Sequence, residues 1–397
     1  MLSNKKNLKI LAIESSCDET AAAIVEYKND EVKILSNTIN SQIDIHKAFG
    51  GVFPEVASKA HAENIIPVIE ESLDKSEIRM SKSEKMNYID IIAVTAGPGL
   101  IGSLLVGVNA AKTLAFAHNK PIMPINHWLG HIYSCFPTLE NSNDETRISN
   151  KLSNDLNINK LKFDSKLKIQ NLPQFPLLAL IVSGGHTGLV YMKSHTEYET
   201  IGQTLDDAAG EAFDKVAKLL ELGYPGGPAI GKAAKKFRIQ NSELKIDIKF
   251  PRPMLKSGDY NFSFSGLKTS VLNKVRELTQ TYTLDEIKNQ IAYEFQQAII
   301  DTLITKTLAA AKEYNPKSIC LCGGVSANKE LREQLARAIE NYNSNNPGPK
   351  PITLNLAPLA LTGDNAAMIG IAAAYQLANG VEPTTFAHVN ANSNLKL

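Results

Sequence analysis

"LKILAIESSCDETAAAIVE", residues 8–26, is the stretch on which the fold turns. Two apolar runs, 8–13 and 21–26, flank the polar turn "ESSCDET". Runs this short, bounded by turn residues, predict a hairpin of two strands whose turn carries Asp18 and Glu19. The unit returns at 177–192, where "LLALIV" and "GLVYM" flank "SGGHT". A second unit also occurs twice. Residues 89–95, "IDIIAVT", run into "AGPG" and then a helix from about 101 to 117. Residues 318–321, "SICL", run into "CGGVSAN" and then a helix from about 329 to 340. Each half has a hairpin first and a strand, glycine turn and helix later. This pattern predicts a diverged internal duplication: an α/β chain of two similar lobes facing a cleft.

Length and composition bound the rest. The chain has 397 residues, 43% of them hydrophobic, enough for two or three domains with ample core. With 42 basic and 41 acidic side chains, any nucleic-acid site must be local. Cys17, Cys135, Cys320 and Cys322 form no CxxC or zinc-ribbon spacing, so free thiols in a reducing compartment are expected. The start "MLSNKKNLKILAIESS" breaks at Glu14 after a few apolar residues and predicts a strand, not a signal peptide. No stretch approaches the roughly 20 apolar residues of a membrane span, and the sequon at Asn261 reads as a chance match. The Asn-, Lys- and Ser-rich segment 138–171 has no clean period and predicts a solvated insertion or loop; 341–351 predicts a shorter linker.

Five glycine turns sit at or near strand ends: at Gly97–Gly99, Ser183–Gly185, Gly223–Pro228, Gly323–Asn328 and Thr362–Asn365. Glycine backbone can approach a phosphate closely, and open sheets bind ligands beyond their strands' C-terminal ends. None matches GxGxxG or GxxxxGK[ST], which disfavours a Rossmann site and a P-loop. Residues 204–221 predict an amphipathic helix with Ala209, Ala212, Phe213, Val216, Ala217, Leu219 and Leu220 buried, and Thr204–Asp207 as a capping box. Glu211 and Asp214 are either solvated or, for Asp214, an acceptor for ribose hydroxyls. Residues 250–270 mix Arg252, Lys256 and Lys268 with Phe250, Tyr260, Phe262 and Phe264, below a run of upstream lysines. That mixture suits an RNA backbone with splayed bases, or a solvated basic face over an aromatic core.

In "PINHWLGHIY", residues 124–133, His127 and His131 stand four apart. On a helix they share a face and can hold a metal, unless they merely align. Trp128 occupies the position where HExxH has its glutamate, and no acid lies between the histidines; a metallopeptidase is disfavoured.

Taken together, "IESSCDETAAAIV", "TAGPGLIGSLLVG", "HWLGH", "SGGHTGLV", "DDAAGEAFDKVAKLLELGYPGGP", "FPRP", "FSFSGLKT", "CGGVSANKELR" and "GDNAAMI" fall in order over about residues 8 to 370. The set resembles the tRNA threonylcarbamoyladenosine-forming transferases, the TsaD, Kae-one and Qri-seven family; only the Asn-rich insertion is unmatched. The resemblance implies the duplicated actin, Hsp70 and sugar-kinase fold. The first lobe is then expected at 1–124, completed by a helix at 365–380, and the second at 125–364. It implies that threonylcarbamoyl-AMP is bound in the cleft. Its acyl group passes to the N6 amine of the adenosine beside the anticodon in tRNAs reading codons that begin with A, and AMP leaves. It implies one divalent metal, Fe(II) or Zn(II), on His127, His131 and Asp364. Substrate contacts are implied at Ile181, Val182, Ser183, Gly184, Gly185, Asp214, Gly227 and Asn328.

The backbone N–H groups of Ser183 to Gly185 are expected to hold the phosphate. Asp18 and Glu19 are expected to face the same cleft, Asp18 positioning or deprotonating the amine. Implied partners are a TsaB-like paralogue and a TsaE-like ATPase, or a second copy in an organellar form; a bacterial cytoplasm is the expected location. Two departures concern the metal. Asn126 and Leu129 stand where many members have His and Glu, and Gly363 stands where many have Thr before the Asp. A kinase or ATPase of the same fold is the competing class, but it has no role for the His pair. A non-catalytic paralogue is expected to lack the metal residues, all three of which are kept.

Overall fold

A computed structural model describes residues 7–29, 31–76, 82–137, 172–240, 246–346 and 350–397. The predicted insertion at 138–171 lies outside these described residues, as does Lys245 of the basic run.

The first sheet contains β1 (Asn7–Glu14), β2 (Glu19–Lys28), β3 (Glu31–Ser41), β4 (Ile91–Gly97) and β5 (Ile122–Asn126), in the order β3-β2-β1-β4-β5. The second contains β6 (Leu177–Val182), β7 (Thr187–Met192), β8 (Tyr198–Gln203), β9 (Ser318–Cys322) and β10 (Thr353–Leu356), in the order β10-β9-β6-β7-β8. Each is an antiparallel three-strand meander extended by two parallel strands, so the duplication is present in topology as well as in motif. β1 pairs antiparallel with β2 (Ile10 with Val25) and parallel with β4 (Ile10 with Ile91). Likewise β6 pairs antiparallel with β7 (Leu177 with Met192) and parallel with β9 (Leu177 with Ser318). Buried on both faces, the central strands read as unbroken apolar runs, as parallel strands under helices do. In β4 every residue is buried.

The helices are α1 (Ile43–Lys47), α2 (Pro54–Lys75), α3 (Lys82–Lys85), α4 (Ile101–Ala117), α5 (His127–Tyr133), α6 (Ala209–Leu219), α7 (Gly226–Gln240), α8 (Ser265–Leu278), α9 (Leu284–Tyr314), α10 (Lys329–Asn345) and α11 (Ala366–Ala378). They build layers. One face of the first sheet packs on α2 and α4, around Ile13, Ile24, Ile65 and Val108. One face of the second packs on α6 to α10, around Leu180, Phe213, Phe295 and Leu335. A third core lies between the sheets, where α5 and α11 join Ile10 and Ala23 of one to Leu177 and Cys320 of the other. α11 is buried over most of its length because it belongs to this shared layer.

The structure changes several expectations. Glu19 is the first residue of β2 rather than part of the turn. The helix predicted from 204 begins at Ala209. Thr204 Oγ1 donates to the Asp207 carbonyl, 2.7 Å away, so it is no cap; the Ala209 N–H is taken by Thr187 Oγ1 of β7 at 2.9 Å. The buried stripe is as predicted except Leu219, which is half-buried. Residues 341–345, read as linker, continue α10. Phe250, Phe262 and Phe264 are buried in the second core, while Tyr260 is half-buried at its edge. Arg252 there pairs with Asp301, at 2.7 Å.

Candidate active site between the lobes

β1 ends on Glu14, β5 on Asn126, and α5 starts at His127. The Asn126 side chain accepts the Trp128 N–H at 2.9 Å, an N-cap that starts the helix on the histidine. α5 then places His131 one turn on, with the two rings 4.6 Å apart at 78°. Both imidazoles are buried. Asp364 arrives from the turn before α11, whose cap Asn365 accepts the Met368 N–H at 3.0 Å and donates to the Gly363 carbonyl at 2.8 Å. Asp364 Oδ1 is 3.6 Å from His127 Nε2 and 3.2 Å from His131 Nε2. Ligand atoms of the three residues all lie within 4.8 Å of one another. Two ligands of one first-row ion, each at about 2.0–2.2 Å from it, lie no more than ~4.4 Å apart, so the trio fits with little movement.

Two further features fit a metal. The buried Nδ1 of His131 makes no hydrogen bond among the described residues, and Nε2 meets only the Asp364 carboxylate at 3.2 Å, a costly state for a buried ring without a ligand. His127 Nδ1 lies 3.2 Å from Glu14 Oε2 and 3.2 Å from Ser16 Oγ. The carboxylate orients the ring through Nδ1 and aims Nε2 at Asp364. Glu14 itself is fully engaged, accepting from the Ser16 N–H and Thr95 Oγ1 at 2.5 Å each. Burial drives the Glu14 carboxyl up, but His127 and Thr95 outweigh it and hold it below the ordinary carboxylate value. Burial likewise works against the His127 cation, yet Asp364 and Glu14 push the imidazole up to about 9. Asp364 is held far down by the two histidines despite its burial. His186, behind them, is driven to about 3 by burial and by both imidazoles.

Glu14 and Ser16 were not among the predicted site residues. Of the two departures at the His pair, Asn126 caps the helix and Leu129 is core, while a carboxylate beside His127 comes from β1. At Gly363 a Cβ would meet nothing within 4 Å, so the turn does not depend on glycine there.

Asp18 and Glu19 lie where β1 turns into β2, and Glu19 Oε1 accepts from Ser41 Oγ at 3.2 Å. Burial first, then Asp18 and Asp364, raise the Glu19 carboxyl well above its ordinary value. Across the gap, Asp214 accepts the Gly226 N–H at 2.7 Å, and burial pushes it up to about 6, helped by Asp18. The Tyr224 phenol, raised by burial and by Asp18 and Asp214, joins this group without having been predicted.

Beyond Asp214 opens a cleft of about 510 Å³ between α7 and α10, lined by Gly227 and Asn328 among others. That is within the range of small-molecule sites. Arg238 and Glu330 form an ion pair at its edge. Asn328 is the N-cap of α10, accepting from Leu331 N–H at 3.0 Å while Nδ2 donates to Gln296 at 2.8 Å.

The glycine turns divide. A Cβ on Gly97 would stand 1.9 Å from the Asn392 carbonyl oxygen, so that turn is filled by protein. Gly184 and Gly185 face open space, and their N–H groups donate no hydrogen bond among the described residues. Ser183 differs from expectation: its N–H donates to the His186 carbonyl at 2.7 Å. Ile181 and Val182 are fully buried, one in each core flanking the second sheet.

A family model described as TsaD, tRNA N6-adenosine threonylcarbamoyltransferase, matches residues 33–145 and 161–371. The chain belongs to the TsaD family. It is 45% identical over 380 residues to the tRNA N6-adenosine threonylcarbamoyltransferase of Bacillus subtilis (strain 168), covering 96% of this chain and 94% of that protein. The protein of the same name from Staphylococcus haemolyticus is 44% identical over 394 residues, 99% of this chain and 98% of that one. Among solved structures, HypF of T. kodakarensis is similar in fold alone, with a TM-score of 0.55, 13% identity, and coverage of 94% of this chain and 48% of that one. With its two mirrored sheets, this TsaD family member has the duplicated architecture of actin, Hsp70 and sugar kinases. No helix among the described residues is long and apolar enough to cross a membrane.

Proposed function

We infer that this chain transfers the threonylcarbamoyl group of threonylcarbamoyl-AMP to the N6 amine of the adenosine beside the anticodon, in tRNAs reading codons that begin with A. AMP is released. The observation that carries this reading is membership of the TsaD family, with relatives matched over 96% and 99% of this chain, joined to a His127–His131–Asp364 cluster beside paired carboxylates.

The steps assign as follows. The cleft between α7 and α10 takes the adenosine of the adenylate, with Asp214 accepting its ribose hydroxyls and Gly227 leaving room for the ring. The free N–H groups of Gly184 and Gly185 hold the phosphate. His127, His131 and Asp364 would hold a divalent ion of the Fe(II) or Zn(II) kind, which would supply Lewis acidity toward a carbonyl oxygen. The N6–C bond forms as the C–O bond to phosphate breaks. One proton leaves N6 for the Asp18–Glu19 pair. Holding amine and carbonyl together is the larger part of the work, since the phosphate already leaves well. A bacterial cytoplasm suits the free thiols, and a TsaB-type paralogue with a TsaE-type ATPase are the proposed partners.

The test is reconstitution. Full-length protein, unmodified tRNA and threonylcarbamoyl-AMP are combined, with and without the two partners. Nucleoside mass spectrometry is expected to find threonylcarbamoyladenosine. Its absence in every combination overturns the reading.

A further inference from the structure

The segment joining α1 to α2, residues 48–53, carries two phenylalanines that the transfer chemistry leaves unused. Phe49 and Phe53 stack on each other, centroids 5.4 Å apart and planes at 26°, yet remain 49% and 45% exposed. Single exposed apolar side chains are ordinary; the placement of this pair is not. The Gln42 N–H donates to the Asp18 carbonyl at 3.0 Å. Gln42 Oε1 is 3.1 Å from Nε2 of the buried His46, whose Nδ1 accepts the Phe53 N–H at 3.3 Å. An unbroken run of hydrogen bonds thus ties the aromatic pair to the turn of the Asp18–Glu19 base.

On its other side the segment meets the second lobe. Gly50, at φ +69°, lies against Lys218 of α6, where a Cβ would stand 2.9 Å from Nζ. Asp214 is one turn earlier on that helix. The Lys218 ammonium is exposed and makes no ion pair or hydrogen bond among the described residues. A half-exposed aromatic stack and an unpaired cation therefore stand together where the two lobes meet, beside the proposed base.

We propose that Phe49 and Phe53 form the stacking platform for an unstacked anticodon-loop base at the mouth of the cleft, with Lys218 on the adjoining phosphate. The proposal rests on the transferase reading above. An adenine whose exocyclic amine must reach a carboxylate between two lobes has to leave its stack. Single-stranded RNA is held by aromatic faces and by cations on its backbone.

The test uses full-length protein and an anticodon stem–loop carrying 2-aminopurine at either neighbour of the acceptor adenosine, whose N6 amine is kept. The double variant Phe49→Ala/Phe53→Ala is compared with Phe49→Tyr/Phe53→Tyr, which keeps both ring faces. The alanine variant is expected to bind the stem–loop roughly 5- to 150-fold more weakly and to lose the fluorescence quenching that stacking causes. The tyrosine variant keeps both. Affinity for a threonylcarbamoyl-AMP analogue stays unchanged, which separates a local effect from misfolding. Unchanged stem–loop affinity and quenching in the alanine variant overturn the proposal. So does unchanged RNA affinity with lost binding of a protein partner, which assigns the surface to protein docking. If the wild-type protein, with both proposed partners supplied, neither binds nor modifies the stem–loop, the transferase reading fails and the platform falls with it.

Discussion

At the scale of single residues, the most consequential side chain is one whose role is invisible in its own neighbourhood. Glu14 ends an apolar strand and reads as the start of a turn; its partner, His127, is 113 positions away. The His127–His131 spacing was legible because both lie on one helix, whereas Glu14 and Ser16 reach them only through sheet pairing. Glu14→Gln keeps the volume, removes the charge and sets an amide opposite the Nδ1 proton. Metal affinity is expected to fall 10- to 100-fold, read by chelator competition, with the fold retained by circular dichroism. Equal affinity of the two proteins means that Glu14 does not orient His127.

Asp214 carries a pH signature. Its carboxyl titrates at about 6 rather than 3.8, because burial disfavours the charge. Between those values the native state holds a proton that the unfolded chain has lost. Its contribution therefore makes the protein less stable as pH rises from about 4 to 6, and is level above. Nucleotide affinity runs the other way, since only the ionised carboxylate accepts two ribose hydroxyls. Binding of the adenylate analogue is expected to strengthen as pH passes about 6, and Asp214→Asn to abolish that rise. An identical pH profile in the variant removes Asp214 from the ribose.

At the scale of elements, asparagine caps set the site. Asn126, Asn328 and Asn365 each start a helix by accepting a backbone N–H, and each stands at or beside a site residue. The strands and glycine turns were legible because short apolar runs between turn residues have few other readings. The start of α6 was not. Thr204 and Asp207 have the spacing of a capping box, but Thr204 bridges to Phe262 and the cap comes from Thr187 on β7. A tertiary partner overrode a local signal. Packing between α5 and α11 offers a test at this scale. A Cβ on Gly130 would stand 2.7 Å from Ile369 Cδ1 and 3.2 Å from Met368 Cγ. Gly130→Ala pushes apart the helix that bears both histidines and the helix that Asp364 precedes. Overpacking costs about 1–3 kcal/mol, so a lower melting temperature and weaker metal retention are expected together. A lower melting temperature with full metal content means that the cluster tolerates the shift.

At the scale of the molecule, two equivalent sheets back onto α5 and α11, and the cluster, the carboxylates and the cleft all follow from that arrangement. The duplication was readable because it repeats the order of two unlike units; the shared central layer was not, since α5 and α11 are far apart in sequence. What remains is how a chain of net charge +1 attracts a polyanion. Long-range steering by total charge is absent, so attraction must come from a patch. The phenylalanines of 250–270 turned inward, and Arg252 is taken by Asp301. On α7, by contrast, Lys232, Lys235 and Lys236 are exposed, and Lys235 also lines the cleft. If Lys235 and Lys236 each neutralise one tRNA phosphate, each adds about 0.7–0.9 to the slope of log affinity against log salt. Reversing both to Glu is expected to flatten that slope by roughly 1.4–1.8, with the largest loss of affinity at low salt. Such a change separates phosphate contact from a packing defect, which lowers affinity equally at every salt concentration. A parallel displacement of the two lines therefore places the tRNA on another face of the second lobe.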